Sequence, residues 1–196
     1  IYRKATSDAE YGIASEILRL MKGDVTERDY TDDIYFFENQ KHMRLAPEQR
    51  KAVKTSLSSP FSLIIGGPGT GKTTTVNTII ELFESLKLSV ALAAPTGRAA
   101  KRMSQVTGRE AKTIHRLLGT QMGKGGAHSF THNEEHPLSA DVIILDEVSM
   151  IDINLMSSFL KAVKYGARLI LSGDSDQLPP VGPGNVLRDV INSGAI

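Results

Sequence analysis

The sequence predicts an α/β domain: a mostly parallel sheet flanked by helices on both faces, preceded by a small N-terminal helical appendage. Three observations predict it. Short apolar runs at Phe61–Ile65, 88–93, Val142–Leu145 and 169–171 have the length and continuous hydrophobicity of buried strands. The stretches between them place apolar residues at helical intervals. A Gly-rich turn follows the first run and opens a helix, a strand–turn–helix unit typical of parallel sheets.

Taken in order, Ser7 and Glu10 have capping-box spacing, and Ile13, Ile17, Leu20 and Met21 then recur helically until Gly23. An acidic stretch, 24–33, and the aromatic run Tyr35-Phe36-Phe37 complete a first segment. Residues 1–43 thus read as a helical and acidic appendage, packed on the main domain or linking it to another part. The main domain is expected over 44–196. Pro47 suits the first turn of a helix over 47–57. Phe61–Ile65 runs straight into Gly66-Gly67-Pro68-Gly69-Thr70-Gly71-Lys72-Thr73. A helix to about Lys87 follows, with Val76, Ile79, Ile80 and Phe83 on one face. A strand over 88–93 and a helix over 96–106 come next. Residues 121–136 are Gly- and His-rich without a period, which predicts a loop or an exposed hairpin. Val142–Leu145, a helix over 153–163 and a strand over 169–171 close the alternation.

Composition narrows the function classes. The 40% hydrophobic and 23% charged content is that of an ordinary soluble globular chain, and no apolar run is long enough to span a bilayer. Ile1-Tyr2-Arg3-Lys4 carry no signal-peptide apolar region, so a cytoplasmic location is the default expectation. Without an initiator Met, the chain is expected to be an excerpt of a longer protein. Cysteine is absent, which excludes disulfides and thiolate metal sites. The formal charge of +1 averages two unlike regions: residues 1–40 hold nine Asp/Glu against five Lys/Arg, and residues 97–127 hold seven Lys/Arg against Glu110 alone. The basic stretch is a candidate phosphate-contacting surface; a solvated charged face is the plainer reading.

Gly66-x4-Gly71-Lys72-Thr73 matches the phosphate-binding loop in its required setting between strand and helix. Glycines let backbone N–H groups turn inward around a phosphate, and the helix N-terminus adds its positive dipole end. The expected ATP contacts are Gly67, Pro68, Gly69, Thr70, Gly71, Lys72, Thr73 and Thr74. Lys72 would reach the β- and γ-phosphates, and the Thr73 hydroxyl would join Mg²⁺ coordination. Val142–Leu145 ends in Asp146-Glu147. Beside a phosphate loop, Asp146 would hold Mg²⁺ directly or through water, and Glu147 would polarise the attacking water as general base. Gln177, past the next strand end, is a candidate γ-phosphate contact. A turn in which Asp174 caps its own backbone explains the same residues equally well. The catalytic candidates are therefore Lys72, Glu147 and Gln177.

These blocks carry a family resemblance. Leu45-Ala46-Pro47-Glu48-Gln49-Arg50 resembles the adenine-reading glutamine motif of superfamily 1 helicases. Ala94-Pro95-Thr96-Gly97-Arg98-Ala99-Ala100 resembles their motif Ia, and Thr113-Ile114-His115-Arg116-Leu117 the DNA-contacting segment after it. Asp146-Glu147-Val148-Ser149-Met150 resembles motif II, and Gly173-Asp174-x-x-Gln177-Leu178-Pro179 motif III. Together with the phosphate loop they resemble RecD-like helicases, related to the alpha subunit of exodeoxyribonuclease V. The resemblance implies a RecA-like P-loop NTPase motor domain, the first of two, acting on single-stranded DNA in the 5′ to 3′ direction. It implies that Gln49 contacts adenine and that Thr96, Gly97, Arg98, Thr113 and His115 line the DNA path. For Arg102 and Lys112 a solvated face is as good a reading as a DNA contact. Partner subunits of an exonuclease V-type complex are a further implication, since the family holds both subunits and stand-alone helicases.

A second motor domain would supply an arginine that stabilises charge on the γ-phosphate, worth on the order of 10³-fold in rate or more. Nothing here resembles the later motifs, so this chain alone is expected to bind nucleotide with little hydrolysis. Other classes share some features. A ring-forming ATPase or helicase loader would usually carry a polar Asn/Thr sensor in place of Gly-Asp-x-x-Gln-Leu-Pro, and an ATP-dependent DNA-binding module would need no turnover. No Asn-Lys-x-Asp guanine-reading sequence appears, and no second carboxylate cluster suggests a nuclease. His128, His132 and His136 recur every four residues, but Gly125-Gly126 and Pro137 interrupt any helix, so an exposed hairpin is expected and no structural zinc. Tyr35-Phe36-Phe37 reads more readily as core than as a platform for bases.

Overall fold

A computed structural model describes residues 4–25, 28–122, 128–177, 180 and 182–194. The helices are α1 (Lys4–Met21), α2 (Thr31–Gln40), α3 (Pro47–Ser58), α4 (Lys72–Ser85), α5 (Gly97–Thr107), α6 (Ile114–Leu118), α7 (Ile153–Ala162) and α8 (Val186–Ser193). The strands are β1 (Phe61–Ile65), β2 (Val90–Ala94), β3 (Ala111–Thr113), β4 (Thr120–Met122), β5 (His128–Phe130), β6 (Val142–Leu145) and β7 (Arg168–Gly173). A 3₁₀ turn, Val148–Met150, follows β6.

Five strands form one parallel sheet in the order β1-β7-β6-β2-β3, as the alternation of strands and helices predicts. Because successive side chains on a strand point to opposite faces, β6 feeds two cores. Ile143 and Leu145 pack with α1, α6, α7 and α8 residues such as Leu20, Leu118, Phe159 and Leu187. Val142 and Ile144 pack on the other face with α2 to α5 residues such as Ile34, Val53, Ile80 and Met103. All four β6 side chains are buried, which is why that strand reads as an unbroken apolar run.

Several local expectations shift. α1 extends back to Lys4, so Ser7 lies inside the helix and not at its cap. The acidic and aromatic segment forms α2, a helix that the sequence pattern did not announce. On it Phe37 is buried, while Tyr35 and Phe36 are 53% and 69% exposed, so one ring of the three joins the core. The guanidinium of Arg44 lies 5.2 Å from the Tyr35 ring centroid, a cation–π distance. β3 and α6 also went unannounced, being only three and five residues long. Thr120–Met122 and His128–Phe130 pair antiparallel, so a hairpin forms there; its tip lies outside the described residues. The His128 side chain is likewise outside them, and among the described residues no group of metal-ligating side chains gathers. No described helix is long and apolar enough to cross a membrane.

Two polar clusters tie the elements together. Glu38 on α2 is fully buried and accepts from the Leu45 N–H at 2.8 Å, from Arg50 Nη2 at 2.7 and 2.8 Å, and from Arg44 at 3.3 Å. Asp141, just before β6, accepts from Ser89 Oγ at 2.6 Å, Ser89 N at 3.0 Å and Lys164 Nζ at 3.0 Å. Those Ser89 bonds first, with Lys164 behind them, lower the Asp141 pKa from 3.8 to about 2. A depressed carboxyl stabilises the fold above its unfolded pKa, and that contribution disappears as pH falls through the folded value. The Asp141 side chain is 41% exposed, so solvent screening limits the effect to at most about 1 kcal/mol. Asp141→Asn is expected to lower stability slightly at neutral pH and to flatten the acid limb between pH 4 and 2. Denaturant melts across that range check it, and an acid limb that overlays the parent's removes the idea.

Candidate functional site

Parallel strands put their C-terminal ends on one side of a sheet, where ligands bind α/β proteins. Here the phosphate loop leaves β1, Thr96 follows β2, Thr113 ends β3, Asp146-Glu147 follows β6 and Asp174 follows β7. The sequence-predicted residues, scattered over most of the chain, are thereby brought to one edge.

The loop has the backbone that its glycines permit. Gly69 and Gly71 take φ of 78° and 81°, in the left-handed region that Cβ-bearing residues avoid. A Cβ on Gly66 would come within 2.6 Å of Thr70 Oγ1, and one on Gly71 would collide with Gln49 Nε2. Lys72 opens α4, and its ammonium donates to the carbonyl oxygens of Gly66 and, at 3.3 Å, Gly173. Gly173 O also accepts from Gly66 N at 3.2 Å, so the loop is stitched to the end of β7. Thr73 and Thr74 are exposed. Gln49 on α3 accepts from the Ala46 N–H at 2.9 Å and directs Nε2 at Gly71 O, 3.5 Å away. It sits against the loop and is not among the residues lining the cleft beside the loop.

That cleft encloses about 340 Å³ and gathers Lys72, Thr73, Asp146, Glu147, Asp174 and Gln177 on its walls. Asp146 and Glu147 are half-buried, with the Asp146 N–H bonded to Ala93 O at 3.0 Å. Glu147 takes φ 56°, which turns the chain sharply into the 3₁₀ turn. The β7 end forms the self-capped turn, and its glutamine stands at the cleft. Asp174, 4% exposed, caps its own turn by accepting from Asp176 N at 3.0 Å, and Gln177 reaches the cleft. Gln177 Oε1 accepts from Ser149 Oγ at 2.9 Å. Leu178 and Pro179 lie outside the described residues.

The DNA candidates stand along the same edge. Thr96 and Thr113 each cap a helix, their Oγ1 atoms accepting from Ala99 N and Arg116 N at 3.2 Å. Gly97, Arg98 and His115 are exposed, and the His115 ring lies 5.9 Å from that of Phe130. Sequence reasoning missed other cleft residues. Arg102 lines this cleft, as do Asn77 and Ser172, which were not singled out; Ser149 bonds to Gln177 from outside the lining. Asn77 Oδ1 and Ser172 Oγ are buried without a hydrogen-bond partner among the described residues, and both residues line the cleft. A serine inside an otherwise apolar strand was the available signal for Ser172.

The cleft fits a polyphosphate and a hard cation. Its loop takes the left-handed backbone at Gly69 and Gly71, buried polar atoms lack partners among the described residues, and the lining offers hydroxyl, carboxylate and ammonium groups. The class so defined is the P-loop nucleotide-binding domain. Residues 49–183 match a family model described as an AAA domain. The chain is 42% identical over 184 residues to the ATP-dependent RecD2 DNA helicase of Deinococcus radiodurans, covering 94% of this chain and 25% of that protein. It is 40% identical over 172 residues to the RecBCD enzyme subunit RecD of Mycobacterium tuberculosis, covering 76% of this chain and 29% of the relative. Among solved structures, the Pif1 helicase from Candida albicans superimposes with a TM-score of 0.50 at 28% identity, over 71% of this chain and 34% of that one. The chain belongs to this AAA-domain family, and over most of its length it is similar to these RecD-like proteins. It spans about a quarter to a third of the length of these relatives.

Proposed function

We propose that this chain is the first motor domain of an ATP-driven, 5′-to-3′ DNA helicase that works on single-stranded DNA in recombination or repair. One observation carries the reading: Lys72, Asp146, Glu147 and Gln177, drawn from three separate strand ends, converge on one cleft beside a glycine loop. The loop N–H groups and Lys72 would hold the β- and γ-phosphates. Thr73 and Asp146 would hold Mg²⁺, which when bound neutralises charge on the phosphate oxygens. Glu147 would accept a proton from the attacking water, and Gln177 would contact the γ-phosphate. Gln49 would read adenine from beside Gly71. Thr96, Gly97, Arg98, Thr113 and His115 would follow the DNA backbone along the same sheet edge. An arginine on an opposing domain would complete the hydrolytic site, so this chain by itself would turn over slowly. Partner subunits of a RecBCD-type complex would be contacts of the whole protein.

Binding of fluorescent ATP and of an oligothymidine, measured with Mg²⁺ over a salt series, tests the proposal. Nucleotide should bind in the micromolar-to-millimolar range. The oligonucleotide affinity should fall as salt rises, because phosphate contacts release counterions. Arg98→Ala should weaken DNA binding to a similar degree for different sequences and leave ATP binding unchanged. Failure to bind ATP at millimolar concentration would overturn the motor reading. ATP binding without any DNA binding would leave a nucleotide-binding domain of another kind.

A further inference from the structure

We propose that Ser149 is a positioning residue for Gln177: its hydroxyl anchors the Gln177 amide at the cleft wall, and thereby sets how the site separates nucleoside triphosphate from diphosphate. The inference rests on the reading of Gln177 as the γ-phosphate contact.

A primary amide has a carbonyl end that only accepts and an NH₂ end that only donates. Phosphate oxygens only accept, so the two amide orientations are not equivalent toward a terminal phosphate: one donates to it and the other turns a carbonyl oxygen against it. Ser149 Oγ donates to Gln177 Oε1 at 2.9 Å. That bond commits the carbonyl end to the protein and leaves Nε2 as the end available to the cleft, whose wall Gln177 forms. In this arrangement the donating NH₂ group is the amide end not engaged by the hydroxyl. The Ser149 hydroxyl therefore holds the side chain by its carbonyl end with the donating end left free.

The two partners are held firmly enough for this arrangement to persist. Ser149 is 5% exposed and sits in the 3₁₀ turn immediately after Asp146-Glu147, where Glu147 at φ 56° bends the chain back toward β7. The turn and the end of β7 approach closely at a glycine. A Cβ on Gly173 would stand 3.6 Å from the Val148 and Ser149 nitrogens and 2.9 Å from Leu187 Cδ2. On the other side, the backbone of Gln177 bonds to Asp174 O at 3.4 Å, and the Asp174 side chain fixes the same turn. The bond thus joins the strand end that bears the carboxylates to the strand end that bears the amide.

The test compares affinities for ADP and for a non-hydrolysable ATP analogue, both with Mg²⁺, in the parent protein and its variants. Gln177→Ala and Ser149→Ala are each expected to weaken triphosphate binding about tenfold to a hundredfold, the size of one lost hydrogen bond to a charged group, with ADP affinity unchanged. The double variant should be no weaker than Gln177→Ala alone. Ser149→Thr, which keeps the hydroxyl, should restore most of the preference. If Ser149→Ala does not fold, Ser149→Cys, with similar volume and a weak donor, should show the same selective loss. Full triphosphate preference in Gln177→Ala would overturn the reading of Gln177 and this proposal with it. Loss in Gln177→Ala but none in the Ser149 variants would overturn the proposal alone. Equal weakening toward ADP and the triphosphate in the Ser149 variants would mark a general packing role and also overturn it.

Discussion

Lys72→Ala is expected to weaken triphosphate binding by about tenfold to a hundredfold and to reduce hydrolysis by the complete motor about a further hundredfold or more. The physical reason lies in where the ammonium stands. It is the cation opening α4, and it donates to Gly66 O and Gly173 O at the floor of the phosphate loop. Phosphate oxygens compete well for such a donor, because a charge-assisted bond to an anion is stronger than one to a neutral carbonyl. The fold should survive the change. Gly173 O keeps its bond from Gly66 N, and α4 still buries Val76, Ile79, Ile80 and Phe83. Calorimetric titration with ATP, alongside a thermal melt and an oligonucleotide titration, distinguishes the outcomes. Nucleotide affinity should fall while the melt and the DNA affinity hold. Unchanged affinity for ATP would mean that the cleft does not use its lysine, and the proposed site would have to be abandoned.

Glu38→Ala should carry the largest cost in stability, about 3 kcal/mol, or roughly 6–12 °C in Tm for a chain of this length. Glu38 is fully buried and satisfies three donors at once: the Leu45 N–H, Arg50 and Arg44. Removing it leaves a buried N–H without its acceptor and a half-buried Arg50 without its counter-ion, while opening space between α2 and α3. The ion pair between Lys54 and Asp29 offers the contrast. Their side chains are 51% and 70% exposed, and its loss should be hardly measurable. The effect of Glu38 also reaches the site. It anchors the chain at Leu45, one residue before Ala46, whose N–H is bonded to the Gln49 side chain. Chemical denaturation of the two variants, Glu38→Ala and Lys54→Ala, checks the contrast; equal small losses would show that the buried carboxylate contributes no more than a surface pair.

Glu38 also explains where sequence reasoning stopped. α2 buries Ile34, Phe37 and Glu38, positions at helical spacing of which one is a carboxylate. A pattern reader scores that position as polar and sees no apolar stripe. Its burial becomes acceptable because Arg44, the Leu45 N–H and Arg50 of the next helix converge on it, a pairing that follows from how α2 packs on α3. β3 is a similar case: Ala111, Lys112 and Thr113 have no strand signature of their own and gain their place by pairing with Leu92, Ala93 and Ala94. Ser7 failed in the other direction, since its capping-box spacing with Glu10 was real but the helix continued past it to Lys4.

What the sequence determined by itself is what depends on short range and on chain chemistry. Continuous apolar runs of strand length made the parallel sheet legible, because a strand buried on both faces has no polar face to show. The glycines at 69 and 71 announced left-handed backbone, and the carboxylates at 146 and 147 announced a polar strand end. What only the tertiary structure decided is which strand ends become neighbours and which atoms face each other there. The order β1-β7-β6-β2-β3 brings Gly173 beside the phosphate loop and Ser149 beside Gln177, residues 28 apart in the chain. Such pairings follow from how the packed layers settle over the whole molecule. A hydrogen bond needs its donor and acceptor within about 3 Å, a precision that residue order alone does not specify.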